Sequence, residues 1–180
     1  MVTFRTAVRA LAVVLGLPLA YAGCSAQESA RETARRSAPR FVKMKTKFDY
    51  TEHEPYAHQG ENGIRGQGIL NQKIVRAITC AGNRVLLLPG TSYFREMIDH
   101  LIAGSEPDPP KTPQPSLKNM IRATECDPQG RFSFAEIPDG AWFVLTQVKT
   151  TYVGVLIQEV TLSNHRTIEV LLSDKDLVGH

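Results

Sequence analysis

Long apolar runs are missing from this chain. The longest, Ala10 to Ala20, has about 11 residues, well short of the roughly 20 that a bilayer-spanning helix needs. Catalytic signatures are missing as well. There is no Gly-x-Ser-x-Gly elbow, no phosphate-binding loop and no Cys-x-x-Cys pair. Charge of one sign is not in excess: the formal net charge is +3, and removing Arg5 and Arg9 leaves 19 basic against 18 acidic side chains. A near-neutral chain carries no electrostatic footprint for nucleic acid. Aromatics are only 7% of residues, with a single tryptophan, so a core has to be mostly aliphatic. No internal repeat is apparent. What remains is an ordinary globular composition over 180 residues, which suits one domain with appendages.

The N-terminus reads as an address. Met1 to Arg9 carries Arg5 and Arg9 and no acid, Ala10 to Ala20 is apolar, and the segment ends in Ala22-Gly23-Cys24. That is the anatomy of an export signal. Leu19-Ala20-Tyr21-Ala22-Gly23-Cys24 resembles a bacterial lipobox, with Tyr21 where Leu is usual. The resemblance implies a diacylglycerol on Cys24 and cleavage before it, so residues 1–23 form a signal peptide. Ser25 after the cysteine resembles the outer-membrane sorting default of Gram-negative lipoproteins. Two alternatives stay open. Ala20-Tyr21-Ala22 also satisfies a signal-peptidase site, which gives a soluble periplasmic or secreted chain, and the segment could also stay as an uncleaved anchor.

Residues 24–60 read as a tether. Gln27 to Ser37 has acid–base pairs at helical spacing, and Pro39 ends any helix there. Arg40, Lys43, Lys45 and Lys47 make a basic run around Phe41, Val42, Met44 and Phe48, suited either to an acidic surface or simply to solvent. Glu52, His53, Glu54 and His58 form the chain's only His/acid cluster. Their spacing is not the His-Glu-x-x-His zinc pattern, and no metal site is expected.

Residues 61–180 alternate strand and turn signals. Gly63 to Leu70 is a strand whose Ile64, Gly66, Gly68 and Leu70 share one face. The glycines there let a bulky neighbour approach. Lys73 to Thr79 extends or pairs with it. Val85 to Leu88 is a short apolar run that suits a strand buried on both faces. Thr91 is placed to cap a helix over Tyr93 to Ala103, with Phe94, Ile98 and Leu101 as its apolar stripe and Gly104 as its stop. Residues 106–116 hold five prolines and read as an extended loop, either a binding loop or a spacer. Leu117 to Glu125, Tyr152 to Leu162 and Thr167 to Leu172 are further strands, the last with one wet face.

Between them lies the most informative stretch. Asp127 to Gly130 is a turn, Phe132 and Phe134 share a strand face, and Ile137-Pro138-Asp139-Gly140 is a second turn. In the following strand Trp142, Val144, Thr146 and Val148 point one way, while Phe143 and Leu145 point the other. Gly130-x-Phe132-x-Phe134-x-x-Ile137-Pro138-x-Gly140-x-Trp142 resembles the signature of carboxypeptidase regulatory-like domains, with Trp142 where Tyr is usual. The resemblance spans roughly residues 60–175. It implies an all-β fold: a seven- or eight-stranded antiparallel β-sandwich of the prealbumin-like (transthyretin-like) type, here with one short inserted helix. It implies no activity, because such modules occur in enzymes, transporters and surface proteins alike. The zinc site of the peptidases lies in a separate domain for which this chain has no room.

With Cys24 lipidated, Cys80 and Cys126 are left as an even pair in an oxidising compartment, and a disulfide between them is expected; two buried free thiols are the alternative. His100, Asp99 and Asp108 have no paired nucleophile, so neither catalytic residues nor a cofactor is expected and the chain reads as a non-enzyme. The expectation is an exported, lipid-anchored structural or interaction module of the cell envelope, held to the membrane by Cys24 and facing the periplasm or the surface. Its partner would be an envelope protein or a glycan, and a carbohydrate-binding module is the alternative. Against that alternative, Trp142 is expected to be buried, with Tyr93, Phe94 and Tyr152 the only reserves for stacking on a sugar.

Overall fold

A computed structural model describes residues 41–71, 77–108, 120–149 and 153–178. In chain order the elements are β1 (Phe41–Val42), α1 (Tyr50–His53), β2 (Asn62–Leu70), β3 (Ile78–Thr79), β4 (Arg84–Pro89), α2 (Ser92–Ile102), β5 (Glu106–Pro107), β6 (Arg122–Glu125), β7 (Arg131–Ile137), β8 (Gly140–Lys149), β9 (Val153–Leu162), β10 (Thr167–Leu172) and β11 (Leu177–Val178). Among the described residues seven strands are four residues or longer, and the other four are two-residue pairings.

Nine of these strands form two stacked sheets, and β1 and β5 make a separate two-stranded pairing. One has five strands in the order β11-β9-β8-β4-β6, every pairing antiparallel. The other is built around β2, which pairs antiparallel with β7 and β3 and parallel with β10. The parallel partner departs from a purely antiparallel expectation, and connectivity explains it. β10 follows β9, which lies in the opposite sheet, so no hairpin fixes its direction. The crossing turn places Asn164 and His165 at φ 63° and 53°.

Strand β8 shows why the sequence folds this way. Trp142, Val144 and Val148 sit in the core between the sheets, with Ile64, Val85, Leu87, Phe132, Phe134 and Leu156. Phe143 and Leu145 point away, into a second apolar cluster with Leu88, Ile157 and the helix residues Phe94 and Ile98. Both faces of β8 therefore need covering, and α2 supplies the second cover. Burying a side chain such as Phe94 or Ile98 contributes about 1.5–3 kcal/mol. Gly104, at φ 69°, ends the helix. The glycines of β2 do what their parity predicts: a Cβ on Gly66 would lie 2.3 Å from the Phe132 ring, and one on Gly68 would lie 2.7 Å from Cys80 Sγ.

Cys80 and Cys126 form a disulfide. Its ends are also held by backbone, since Gly82 N–H donates to the Cys126 carbonyl and Cys126 N–H to the Asn83 carbonyl, each at 3.0 Å. Parts of the sequence reading fall outside the described residues: Cys24, the first half of the Lys73–Thr79 strand, the start of the Leu117–Glu125 strand, Tyr152, and residues 109–116 of the proline-rich loop.

The tether reading needs correction at its C-terminal end. Residues 41–60 pack on the domain as a strap. β1 pairs in parallel with β5. The backbone N–H groups of Lys45 and Thr46 donate to the Glu96 carboxylate on α2 at 2.7 and 2.6 Å. These bonds hold the Glu96 pKa well below its usual range, at about 2. Glu52 accepts from the Ser92 N–H and hydroxyl at 2.7 and 2.8 Å, capping α2 from a distant part of the chain. Thr91, expected as the cap, makes no side-chain cap bond; its hydroxyl meets His53 Nε2 instead.

Candidate functional site

The outer faces of the two sheets differ. That of the five-stranded sheet is apolar and lies under α2. That of the β2 sheet is polar, and its outward residues are exposed or half-buried. Alternation along β2, β7 and β10 turns Ile64, Phe132, Phe134, Val170 and Leu172 into the core. The intervening residues therefore face out. The register then sets them in rows. Glu169, Arg65 and Ser133 lie side by side across three strands, and Leu171, Gln67 and Arg131 form the next row. This face offers guanidinium, carboxylate and hydroxyl groups beside the exposed Leu171, and the Gln67 amide already donates through Nε2 to the Gln129 carbonyl at 2.8 Å.

At one end the face is hollowed into an open concavity of about 290 Å³ whose lining includes Glu61, Gly63, Arg65, Ser133, Glu136 and Thr167. Two local features shape it. Gly63 provides the floor: a Cβ there would come within 2.8 Å of Thr167 Oγ1 and 3.3 Å of the Phe134 carbonyl. A bulge provides the rim: the β2–β7 register shifts between Asn62 and Ile64, and Glu136 adopts φ 57°. Such a bulge re-aims side chains at a sheet edge, and here it leaves Ala135 and Glu136 both exposed.

The hollow is held from beneath. Asn62, 2% exposed, donates through Nδ2 to the Ile137 carbonyl at 3.0 Å and to Asp139 Oδ1 at 2.8 Å, and its Oδ1 accepts from Arg166 N–H at 3.0 Å. One amide thus ties the β7–β8 turn and the β9–β10 turn to β2. At the rim, Glu61 pairs with His165 at 3.1 Å and Glu136 accepts from Gln59 Nε2 at 3.1 Å. Both contacts are exposed, so a ligand can compete for these groups. The arrangement suits hydrogen bonding to a polar, extended ligand. It offers no described aromatic for stacking.

A second open concavity, of about 370 Å³, lies at the far end of the five-stranded sheet beside Asn83, Leu86, Leu145 and Thr146. Two of its polar groups are already committed: Asn83 Nδ2 donates to the Cys80 and Ala81 carbonyls, and the Thr146 hydroxyl to the Arg84 carbonyl. The sheet-face hollow is the stronger candidate.

The residues singled out from sequence lie elsewhere. Trp142 is wholly buried, its indole N–H 3.2 Å from the Pro138 carbonyl and its ring edge-on to Tyr56. It cannot stack on a ligand. Phe94 is buried too. His53 is wholly buried beside Phe48, Tyr93 and Phe94, its Nδ1 donating to the Asp49 carbonyl at 2.6 Å and its Nε2 meeting Thr91 Oγ1 at 2.8 Å. His58 contributes its carbonyl to Arg122. His100 lies beside Glu96 and Ser105. The polar rows on β2, β7 and β10 went unnoticed, although the alternation that marks Phe132 and Phe134 as core marks Arg131 and Ser133 as outward.

No family model matches the chain, and no curated protein matches it. Solved structures do. A Pseudomonas aeruginosa protein described as a "putative carbohydrate binding protein" is 24% identical, with a TM-score of 0.57 over 71% of this chain and 98% of that one. The minor pilin of Streptococcus agalactiae is 12% identical (TM-score 0.38, 64% of this chain, 44% of that one). The major pilin subunit of Bacillus cereus is 11% identical (TM-score 0.36, 64% and 29%). The first shares the fold.

Proposed function

We propose that this chain is an exported, lipid-anchored, non-enzymatic binding module of the bacterial cell envelope, of the carboxypeptidase regulatory-like type, and that its ligand is a carbohydrate held on the open face of the β2 sheet. The observation that carries the binding role is the row pair Glu169–Arg65–Ser133 and Leu171–Gln67–Arg131 beside the hollow at Gly63. The guanidinium and carboxylate groups of Arg65, Arg131 and Glu169 on a sheet suit the hydroxyls of a sugar chain with little reorganisation, which limits the ordering cost of binding. The Pseudomonas aeruginosa neighbour's description favours the same ligand class. The proposed address rests on Leu19 to Cys24 and the apolar run before it, and its outer-membrane part on Ser25 after the cysteine.

The test is calorimetric titration of the chain from Ser25 onward against envelope polysaccharides, with Arg65→Ala/Arg131→Ala as the comparison. Losing two charged hydrogen-bonding groups, each worth about 1.5–3 kcal/mol, should weaken binding by at least tenfold. Unchanged thermal melting shows that the fold survives. Binding that persists undiminished in the variant, or no binding to any polysaccharide, overturns the ligand assignment. The anchor is tested separately, by the intact mass of protein extracted from membranes and by the fractionation of Cys24→Ser.

A further inference from the structure

The strap has two sides. From Phe41 to Phe48 it alternates strictly: Val42, Met44, Thr46 and Phe48 are half-buried, while Phe41, Lys43, Lys45 and Lys47 are exposed. The backbone bonds from Lys45 and Thr46 to Glu96, and from Asp108 to the Val42 carbonyl, fix this orientation. Three ammonium groups therefore stand in one row with Phe41, which is 56% exposed, at its end. Among the described residues none of the three lysines is in an ion pair. Of the acids beside the strap, Glu96 is bonded to the strap backbone and Asp49 to Thr51, while Glu106 on the paired β5 and Asp108 just after it are exposed next to Phe41 and Val42. Tyr50, just past the row, is 53% exposed.

We infer that this row seats the domain on an anionic lipid surface. Lysines in a row with an exposed aromatic at the end match a headgroup layer: the charges attract anionic lipid and the ring enters the boundary below it. The position of the row argues for lipid over other polyanions. Only 16 residues separate Cys24 from Phe41. At no more than about 3.6 Å each, they hold the strap within roughly 60 Å of the anchored cysteine. A lipid-anchored chain thus meets the bilayer surface at high effective concentration. This inference rests on the anchor reading above, and its test does not require the anchor.

The test uses the unlipidated chain beginning at Ser25, which keeps the compact unit Pro39–His180 with both apolar clusters. Its partitioning onto vesicles of phosphatidylglycerol and phosphatidylcholine is compared with that onto phosphatidylcholine alone. Binding should require the anionic lipid and weaken as salt rises. Lys43→Gln/Lys45→Gln/Lys47→Gln should lose about 10- to 100-fold in partitioning, whereas the triple arginine variant should keep it. Phe41→Ala should weaken it further with its salt dependence unchanged. The substitutions leave the backbone bonds to Glu96 in place, and equal thermal melting confirms the fold. Equal binding by wild type and the glutamine variant overturns the inference, as does no binding to anionic vesicles. Retention of the wild type on an acidic polysaccharide but not on vesicles also overturns it, and assigns the row to a glycan. A failed anchor would appear instead in the mass of the membrane-extracted protein.

Discussion

Replacing Trp142 by alanine should cost about 3–5 kcal/mol of folding stability, the range for deleting a large aromatic from a packed core. The ring is wholly buried and sits in the cluster that joins the two sheets. Three losses contribute. The largest is the apolar surface together with the cavity it leaves. The second is the edge-on contact with Tyr56, whose ring centroid lies 5.0 Å away; such pairs add about 0.5–1.5 kcal/mol. The third is the hydrogen bond from the indole N–H to the Pro138 carbonyl, whose loss leaves a partly buried acceptor at a cost of about 1–3 kcal/mol. Trp142→Phe separates these, because it keeps most of the apolar volume and loses the hydrogen bond, so it should fall well short of the alanine variant. As the single tryptophan, Trp142 also reports its own environment, and native emission should be blue-shifted and move red on unfolding. Stabilities come from urea titrations followed by far-ultraviolet circular dichroism, which works in all three proteins. A loss below about 1 kcal/mol in Trp142→Ala, or native emission at the wavelength of free tryptophan, would refute the buried placement and return the ring to the list of sugar-stacking groups.

The disulfide closes a loop over a sequence separation of 46, and chain-entropy reasoning gives it about 4 kcal/mol through the unfolded state. Cys80→Ala/Cys126→Ala should therefore lower the urea midpoint substantially, and alkylation of the wild type without reductant should find neither thiol free; recovery of either as a free thiol contradicts the bridge. Glu96 gives a pH prediction. Its pKa falls from an ordinary 4.5 to about 2 in the folded chain, so its hold on the strap is complete above about pH 4.5 and is lost as the pH falls through about 2. Amide exchange at Lys45 and Thr46 should stay slow down to that point in the wild type and be fast at every pH in Glu96→Ala; equal protection in the two proteins would show that something else holds the strap.

How much of this was legible in sequence depends on the kind of force involved. The faces of β8 could be read directly, because Trp142, Val144 and Val148 alternate with Phe143 and Leu145, and apolar burial has no other way to satisfy both sets. Gly66 and Gly68 were legible by parity, and the structure supplies their partners, Phe132 and the disulfide. The strap was missed for two reasons. Its alternation is only half apolar: Thr46 takes an inward position and lysines fill three outward ones. Its anchors are polar groups far apart in the chain, such as Glu96 for Lys45 and Thr91 for His53, and no periodicity reports such pairs. The open face was missed because its rows depend on β10 lying parallel to β2, a register that strand patterns do not encode.

The lysine-bearing first part of the strap lies on α2, on the side of the sandwich away from the open face, while its end at Gln59 reaches the rim of that face. α2 covers the five-stranded sheet because Phe143, Leu145 and Ile157 point outward there, and the strap lies on α2 through Glu96 and Ser92. The β2 sheet needs no cover, because Arg65, Gln67, Arg131 and Glu169 are already suited to water. The same division of polar and apolar residues that builds the layers therefore fixes the relation between the two proposed surfaces. A domain seated on lipid through Lys43, Lys45 and Lys47 turns Arg65 and Arg131 away from the membrane, with two sheets and a helix between them. Sheets pack about 10 Å apart and a helix adds a cylinder about 10 Å across, so the binding face stands roughly 20 Å or more from the headgroups. One orientation satisfies both contacts. A ligand on that face is met from the aqueous side without the domain having to leave the surface, which is the geometry a tethered binding module requires.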